Sequence, residues 1–116
     1  MGAEVRYAIG EGYDARRVLK DALPHFKRAL EIDPQHTPSL VRMSAVSTRT
    51  GNPTQGLQIA QRALAEEPQN PDALYWAGRA AAALRQVAQA RTFLERAVAL
   101  QPQNIEFQRA LTQLRP

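Results

Sequence analysis

The sequence predicts an all-α solenoid, in which antiparallel helix hairpins stack on copies of themselves. Two short strings recur with a period of 34 residues, an Arg-Ala-Leu string (once Arg-Ala-Val) and a Pro-Gln string. Their copies begin at Arg28, Arg62 and Arg96, and at Pro34, Pro68 and Pro102. A fixed period of this length indicates one supersecondary unit repeated along the chain rather than a closed globule.

The composition fits a core of small side chains and excludes several functional classes. Hydrophobic residues make up 44% of the chain and aromatic residues only 6%, so the core consists mainly of Ala, Leu, Val and Ile, which suit close helix packing. No apolar run approaches the roughly 18 residues of a membrane span, and no signal peptide pattern is present. The chain has no cysteine, which excludes disulfides, thiolate metal ligands and cysteine nucleophiles. None of this assigns a compartment.

The net charge of +4 comes from an excess of arginine that is unevenly distributed. No Asp or Glu occurs in residues 34–65 or in residues 73–94, although arginines occur in both ranges. Arginine is the better cation for bidentate carboxylate recognition. Nucleic-acid binding is disfavoured because stacking aromatics are few and the basic residues are not contiguous. The high Arg and Ala content is typical of a bacterial protein.

Residues 71–104 form the best copy of the repeat. Asn70 is a good helix N-cap, and Pro71 suits the first turn of a helix, where its missing N–H costs nothing. Apolar residues then recur at helical spacing as far as a short turn near Arg85-Gln86. A second helix follows and ends before Pro102.

Residues 37–70 repeat this plan, and residues 105–116 begin a further copy. In the middle copy Gly51-Asn52-Pro53 is a turn, with Pro53 opening the second helix. Segment 105–116 contains one amphipathic helix without a partner helix, as expected of a capping helix that ends a repeat stack. Phe107, Ala110, Leu111 and Leu114 share its apolar face.

The first copy is degenerate. Gly10 and Gly12 fall within its expected first helix, and each costs about 1 kcal/mol relative to Ala. We therefore predict that residues 1–20 form an irregular or partial helix. Residues 21–36 hold the second helix, with Asp21 as its N-cap, because Pro24 is tolerated only near a helix start.

A 34-residue helix–turn–helix unit with this alternation of small and large residues resembles the tetratricopeptide repeat, from about residue 3 onward. The residues that carry the resemblance in the best copy are Leu74, Ala77, Gly78, Ala81, Ala90, Leu94, Ala97 and Pro102. The resemblance implies a right-handed superhelix, whose first helices line a concave groove. It also implies binding of a peptide or a partner protein. The residues themselves show no catalytic constellation and no cofactor motif, so we expect neither enzymatic activity nor a cofactor.

By the same resemblance, the groove side chains come from the exposed stripe of each first helix. The stripe comprises Pro38, Val41, Ala45, Thr48 and Arg49, with Arg42 beside it; Asp72, Tyr75, Arg79, Ala82 and Ala83, with Trp76 beside it; and Glu106, Arg109 and Gln113. The candidate peptide-binding residues are Val41, Arg42, Arg49, Tyr75, Arg79 and Arg109. Their chemistry predicts an acidic partner segment with an apolar anchor. Trp76 is expected to be partly buried between repeats.

Two further interpretations compete with hetero-partner binding. A metal site is disfavoured, since His25 and His36 are too far apart in helical phase to form a ligand pair. Self-association is the stronger alternative, by end-to-end stacking or by a swapped hairpin, because one of only about three repeats is poor. The Met1-Gly2 start and the end at Pro116 indicate a piece of a longer chain, in which a preceding segment would complete the first repeat.

Overall fold

The structure is a computed structural model that describes the backbone of residues 19–114 and the side chains of residues 24–114. This part of the chain is helical throughout, apart from short connections. Its six helices are α1 (Leu19–Ile32), α2 (Thr37–Arg49), α3 (Pro53–Glu66), α4 (Pro71–Ala83), α5 (Val87–Leu100) and α6 (Ile105–Gln113). The arrangement is elongated, with extents of 44 × 25 × 24 Å. The predicted all-α solenoid is therefore confirmed.

The helices pack as successive hairpins. Helix α2 packs on α3 and α4 packs on α5, while α4 also contacts both α3 and α2 of the preceding hairpin. The first helices of the two hairpins consequently lie side by side, and α6 follows against α5. Among the described helices none is long and apolar enough to cross a membrane.

Asparagine side chains cap the N-termini of three of these helices. The side chain of Asn70 accepts a hydrogen bond from the backbone N–H of Ala73 at 3.0 Å, which confirms it as the N-cap of α4. Asn104 caps α6 in the same way through Phe107, at 3.1 Å. Asn52 caps α3, where Pro53 occupies the first turn as predicted. These caps satisfy N–H groups that a helix cannot pair internally.

The turns within the two hairpins both use a left-handed backbone conformation. Gly51 has a φ of +92°, and Arg85, which lies one period later, has a φ of +62°. Glycine adopts this conformation readily, whereas a residue with a Cβ is strained there. The turn of the second hairpin therefore has the same left-handed conformation as the first, although it has Arg85 where the first has glycine.

The recurring strings correspond to a contact between consecutive repeats. The guanidinium of Arg62 donates to the carbonyl oxygen of Pro34 at 3.4 Å, and Arg96 donates to that of Pro68 at 3.0 Å. In the first copy Arg28 instead pairs with Glu31 at 2.6 Å. In the second and third copies the two strings are therefore linked, because Arg62 and Arg96 each bind the loop that ends the preceding repeat.

Small residues set the distance between paired helices. A Cβ added at Gly78 would lie 2.6 Å from Cγ of Leu94, so α4 and α5 could not approach this closely with a larger residue. The close approach predicted at Gly78 is thus confirmed. Between α2 and α3, the hydroxyl of Ser44 donates to the carbonyl oxygen of Gly56 at 2.7 Å. This hydrogen bond satisfies a polar group that is fully buried at the same crossing.

The start of α1 differs from the prediction. The helix includes Leu19, so Asp21 lies inside it and is not its N-cap, and Pro24 also lies within the helix. An interior proline costs about 3 kcal/mol or more. Phe26 and Ala29 of α1 are completely buried, and burying a Phe side chain contributes about 1.5–3 kcal/mol, so packing on the next hairpin offsets much of that cost. The predicted irregular helix in residues 1–18 lies outside the described residues.

Candidate functional site

The first helices and the capping helix form the walls of a groove. Helices α2 and α4 lie side by side, and side chains of α2, α4 and α6 all contribute to this face. Two adjoining cavities lie along it, with volumes of about 440 and 370 Å³. We call them the cationic cavity and the apolar cavity, after the side chains described below.

The cationic cavity brings together four of the six predicted binding residues. Arg49 comes from α2, Tyr75 and Arg79 from α4, and Arg109 from α6. Residues of three helices that are far apart in sequence thus meet in one place. Further lining comes from Trp76, Glu106, Ala110 and Gln113.

Val41 and Arg42 do not line either cavity. Val41 is only 5% exposed and belongs to a core cluster that includes Phe26 of α1, and Ala45 is completely buried. The expectation that Val41 and Ala45 are exposed on this stripe is therefore wrong, whereas Pro38 is exposed as predicted. A helix inside a solenoid has neighbours on both sides, so only its last turn reaches the groove here, through Thr48 and Arg49. Arg42 is half-buried beside this core.

Arg79 is held in place by aromatic residues of its own helix. Its Nη1 donates a hydrogen bond to the hydroxyl oxygen of Tyr75 at 2.6 Å. Its Cζ lies 5.5 Å from the centre of the Tyr75 ring and 5.3 Å from that of Trp76. Cation–π contacts at exposed sites stabilise by about 0.5–1 kcal/mol. The guanidinium therefore has a preferred position before any ligand arrives, although its side chain is exposed.

Tyr75 in turn depends on the capping helix. Its ring stacks on Phe107 of α6, with centroids 4.9 Å apart and an interplanar angle of 23°. Trp76 meets Tyr75 edge-on at 5.1 Å and packs against the core of both hairpins, which confirms that it is partly buried between repeats. The capping helix thus closes the solenoid and also orients the tyrosine that holds Arg79.

The electrostatic character of the cationic cavity is positive. Within the described part of the chain, three arginines and one acidic residue, Glu106, line it. Within residues 24–114, Arg109 makes no hydrogen bond or ion pair, and its exposed guanidinium is available to a ligand. Carboxylates match this arrangement, because guanidinium groups bind them through two parallel hydrogen bonds.

The apolar cavity has a different lining. It shares Arg79, Ala110 and Gln113 with the cationic cavity. Its remaining lining consists of Thr48, Ala82, Ala83, Leu94 and Leu114. Small residues at the end of α4 and two leucines thus give it apolar lining, beside the polar side chains of Thr48, Arg79 and Gln113.

The described part of the chain has no candidate metal-binding cluster beside these cavities. No group of three or more His, Cys, Asp or Glu residues that could hold a metal ion occurs there. His36 is buried, and its Nδ1 lies 2.6 Å from the hydroxyl of Ser39, a local hydrogen bond at the start of α2. The histidine has a structural role at that helix end.

The sequence predicts Phe107 on the apolar face of α6 but does not predict its contact with Tyr75 in this site. Phe107 occupies the position of Ala73 in the third copy and of Ser39 in the second. Both of those small residues are completely buried. An aromatic residue at a position that is otherwise small is the signal that could have identified it.

Comparison with known proteins agrees with this architecture. A sequence profile described as the tetratricopeptide repeat matches residues 47–114, more than half of the chain. No curated protein sequence matches this chain.

One similar solved structure is the first tetratricopeptide repeat domain of RPAP3 (Spaghetti), bound to the HSP90 peptide SRMEEVD. Its TM-score is 0.90 at 20% identity, and the match covers 97% of this chain and 89% of that one. The OM64 domain of Arabidopsis has a TM-score of 0.91 at 20% identity, with coverage of 97% and 93%. YrrB, described as having an unusual peptide-binding site, has a TM-score of 0.85 at 22% identity, with coverage of 97% and 58%.

The profile match, the repeated helix hairpins and the groove on their first helices lead to one conclusion. This chain belongs to the tetratricopeptide repeat family of protein–protein interaction modules.

Proposed function

We propose that the chain binds an acidic segment of a partner protein, with an apolar anchor, in the groove formed by α2, α4 and α6. The observation that carries this proposal is the convergence of Arg49, Arg79 and Arg109 on one cavity in which, among the residues whose side chains are described, Glu106 is the acidic lining residue. The family is an interaction fold and generally non-enzymatic, which fits a binding role.

The expected affinity is modest. Ion pairs between exposed side chains contribute about 0.2–1 kcal/mol each. Three such pairs therefore require additional burial of apolar surface before binding becomes specific. Arg79 should contribute the most, because Tyr75 and Trp76 already restrict its side chain and less conformational entropy is lost on binding.

Two similar structures support a peptide ligand. The RPAP3 domain was solved with a peptide that contains two glutamates and a terminal aspartate, and the structure of YrrB is described by its peptide-binding site. At 20–22% identity they support the capacity of the fold, while the argument for an acidic ligand rests on the arginines of this chain.

Selection from a displayed peptide library tests the proposal. With the whole 116-residue chain as bait, we expect selected peptides to be enriched in Asp and Glu together with one aliphatic residue. Arg79→Glu combined with Arg109→Glu should abolish binding of those peptides. The matched control is Arg91→Glu on α5, which lies outside both cavities and changes the charge in the same way. Equal binding by the double variant and the control would exclude the groove as the site.

Self-association is a second candidate, favoured by exposed apolar residues at the last hairpin and capping helix. Ile105 is 60% exposed and Leu100 is 40% exposed. Stacking of another copy on this end would cover them and extend the solenoid. Light scattering over a concentration series checks this: a mass that rises with concentration, and falls back to the monomer value in Ile105→Glu, supports association through this end. A constant monomer mass contradicts it.

A further inference from the structure

A second surface lies at the loops that connect consecutive repeats, and it shares no lining residue with the groove. Two further cavities occur there, with volumes of about 310 and 220 Å³. Leu40 and Arg62 line the first, and Leu74 and Arg96, which lie one repeat later, line the second. We call them the first and second edge pockets. The repeat therefore builds the same kind of pocket twice, at equivalent positions.

Both edge pockets have a mainly apolar lining. Besides the leucine of a first helix, the first is lined by Pro34 and Ala65, and the second by Ala99 and Leu100. These four residues are exposed. The arginine of each pocket donates to a loop carbonyl oxygen, which directs its charged end onto the backbone. An aliphatic side chain of a ligand suits such a lining, because contact with it removes apolar surface from water.

Negative charge without a cationic partner lies beside these pockets. Glu66 lines the first edge pocket, and Glu67 lines an adjoining cavity that shares Gln69 with the second. Both glutamates are exposed, and within residues 24–114 neither forms an ion pair. Arg62 lies one helical turn before Glu66, yet its guanidinium binds the preceding loop instead.

The position of these acids at a helix end strengthens their field. Helix α3 ends at Glu66 and has no basic residue in its last turn. The C-terminal end of a helix carries a partial negative charge, so acidic side chains are unfavourable there and a cation is favourable. A basic side chain that docked at this place would be attracted by two carboxylates and by the helix end.

We propose that the edge pockets form a second docking surface, which binds an amphipathic segment of a partner protein that presents aliphatic and basic side chains together. Its aliphatic side chains enter the pockets, and its basic side chains pair with Glu66 and Glu67. Complementary charge selects the orientation of such a segment and disfavours an acidic one. The surface is independent of the groove, because the two have no lining residue in common and opposite charge preferences.

The experiment uses the whole chain and labelled synthetic peptides in fluorescence polarisation. One amphipathic peptide has Leu and Lys on one helical face and Ala and Gln elsewhere. In a second peptide Gln replaces each Lys, and in a third Ser replaces each Leu. We expect the leucine–lysine peptide to bind about tenfold more tightly than either, because the others lose the ion pairs or the apolar contacts. Equal affinity for all three peptides would overturn the proposal.

Two pairs of variants locate the binding. Glu66→Lys should weaken binding of the leucine–lysine peptide, and Glu95→Lys on α5 is its matched control, since Glu95 is exposed and lines neither edge pocket. Ala99→Gln should weaken binding by placing a polar side chain in the second edge pocket, and Ala88→Gln is its control at an exposed position outside both pockets. All four substitutions are at exposed helical positions, and circular dichroism checks that the fold is retained. An equal effect of a variant and its control would exclude this surface as the site.

A second copy of the chain is the alternative occupant, and light scattering distinguishes it. A mass above that of the monomer, which returns to the monomer value in Ala99→Gln, would assign the edge pockets to self-association and exclude the proposed partner. A monomer that binds the leucine–lysine peptide supports the proposal. The peptides are amidated at the C-terminus and carry no carboxylate, so failure of this proposal leaves the proposed function of the groove standing.

Discussion

Replacing Arg85 with glycine should stabilise the chain, although the substitution removes a large side chain. Arg85 has a φ of +62°, in the turn between α4 and α5. The equivalent turn between α2 and α3 has Gly51 at this position, with a φ of +92°. The left-handed conformation costs a residue with a Cβ about 1–2 kcal/mol. Glycine removes that strain.

The net gain is smaller than the strain. Glycine also increases the conformational entropy of the unfolded chain, which opposes the gain by about 0.5–1 kcal/mol. The exposed side chain of Arg85 has little packing to lose. The turn also relies on backbone hydrogen bonds that glycine retains, from the N–H of Arg85 to Ala82 at 3.0 Å and from that of Gln86 to Ala81 at 2.9 Å. We therefore expect about 0.5–1 kcal/mol of stabilisation, which brackets the difference between the midpoints of these two ranges.

Thermal unfolding followed by circular dichroism measures this change. A gain of 1 kcal/mol raises the Tm of a domain of this size by about 4–8 °C, so the variant should melt about 2–8 °C higher. Arg85→Ala is the matched control, because it removes the same charge and side chain but keeps the Cβ. If Arg85→Ala raises the Tm as much as Arg85→Gly does, the effect comes from the charge and the reasoning from backbone strain is refuted. A lower Tm for Arg85→Gly would refute it as well.

Three further predictions concern the site and the hairpin crossing. Tyr75→Phe should weaken binding of acidic peptides about three- to tenfold with little loss of stability, because it removes the hydrogen bond to Arg79 and keeps the ring; calorimetric titration checks this. Phe107→Ala should cost about 3–5 kcal/mol of the local stability of α6, since the side chain is 2% exposed, and hydrogen exchange should show faster exchange confined to that helix. Gly78→Ala should destabilise by about 1–3 kcal/mol in urea unfolding, because the new methyl group would meet Leu94. Unchanged exchange in α6, or an unchanged urea midpoint for Gly78→Ala, would contradict the packing described.

Much of the fold could be predicted from the sequence because its signals are local. Asn70 followed by Pro71 marks a helix start through hydrogen bonds and a fixed φ within one turn, and the structure has that cap. The same holds for Pro53 at the start of α3. At α1 the local rule failed, because burial of Phe26 against the next hairpin offsets much of the local cost of Pro24.

The candidate site was less predictable. Helical spacing puts Val41 and Tyr75 on equivalent stripes, yet both are largely buried, Val41 in the core and Tyr75 against the aromatic rings that line the groove. Burial depends on which helices lie beside a residue, and a repeat period does not specify the neighbours of each copy. The assignment of Arg49, Tyr75, Arg79 and Arg109 as binding residues remains a prediction that the peptide experiments test.

The sequence by itself determined the repeat, its helix starts and the all-α solenoid, because periodicity, caps and turns act within a few residues or recur at a constant interval. Only the tertiary structure decided that Arg49, Tyr75 and Arg109 line one cavity, that Phe107 stacks on Tyr75, and that Arg62 and Arg96 bind the loop of the preceding repeat. The reason is physical: a hydrogen bond or an aromatic stack requires two groups within a few ångströms, and stacking of the hairpins sets that distance between residues 26 to 60 positions apart.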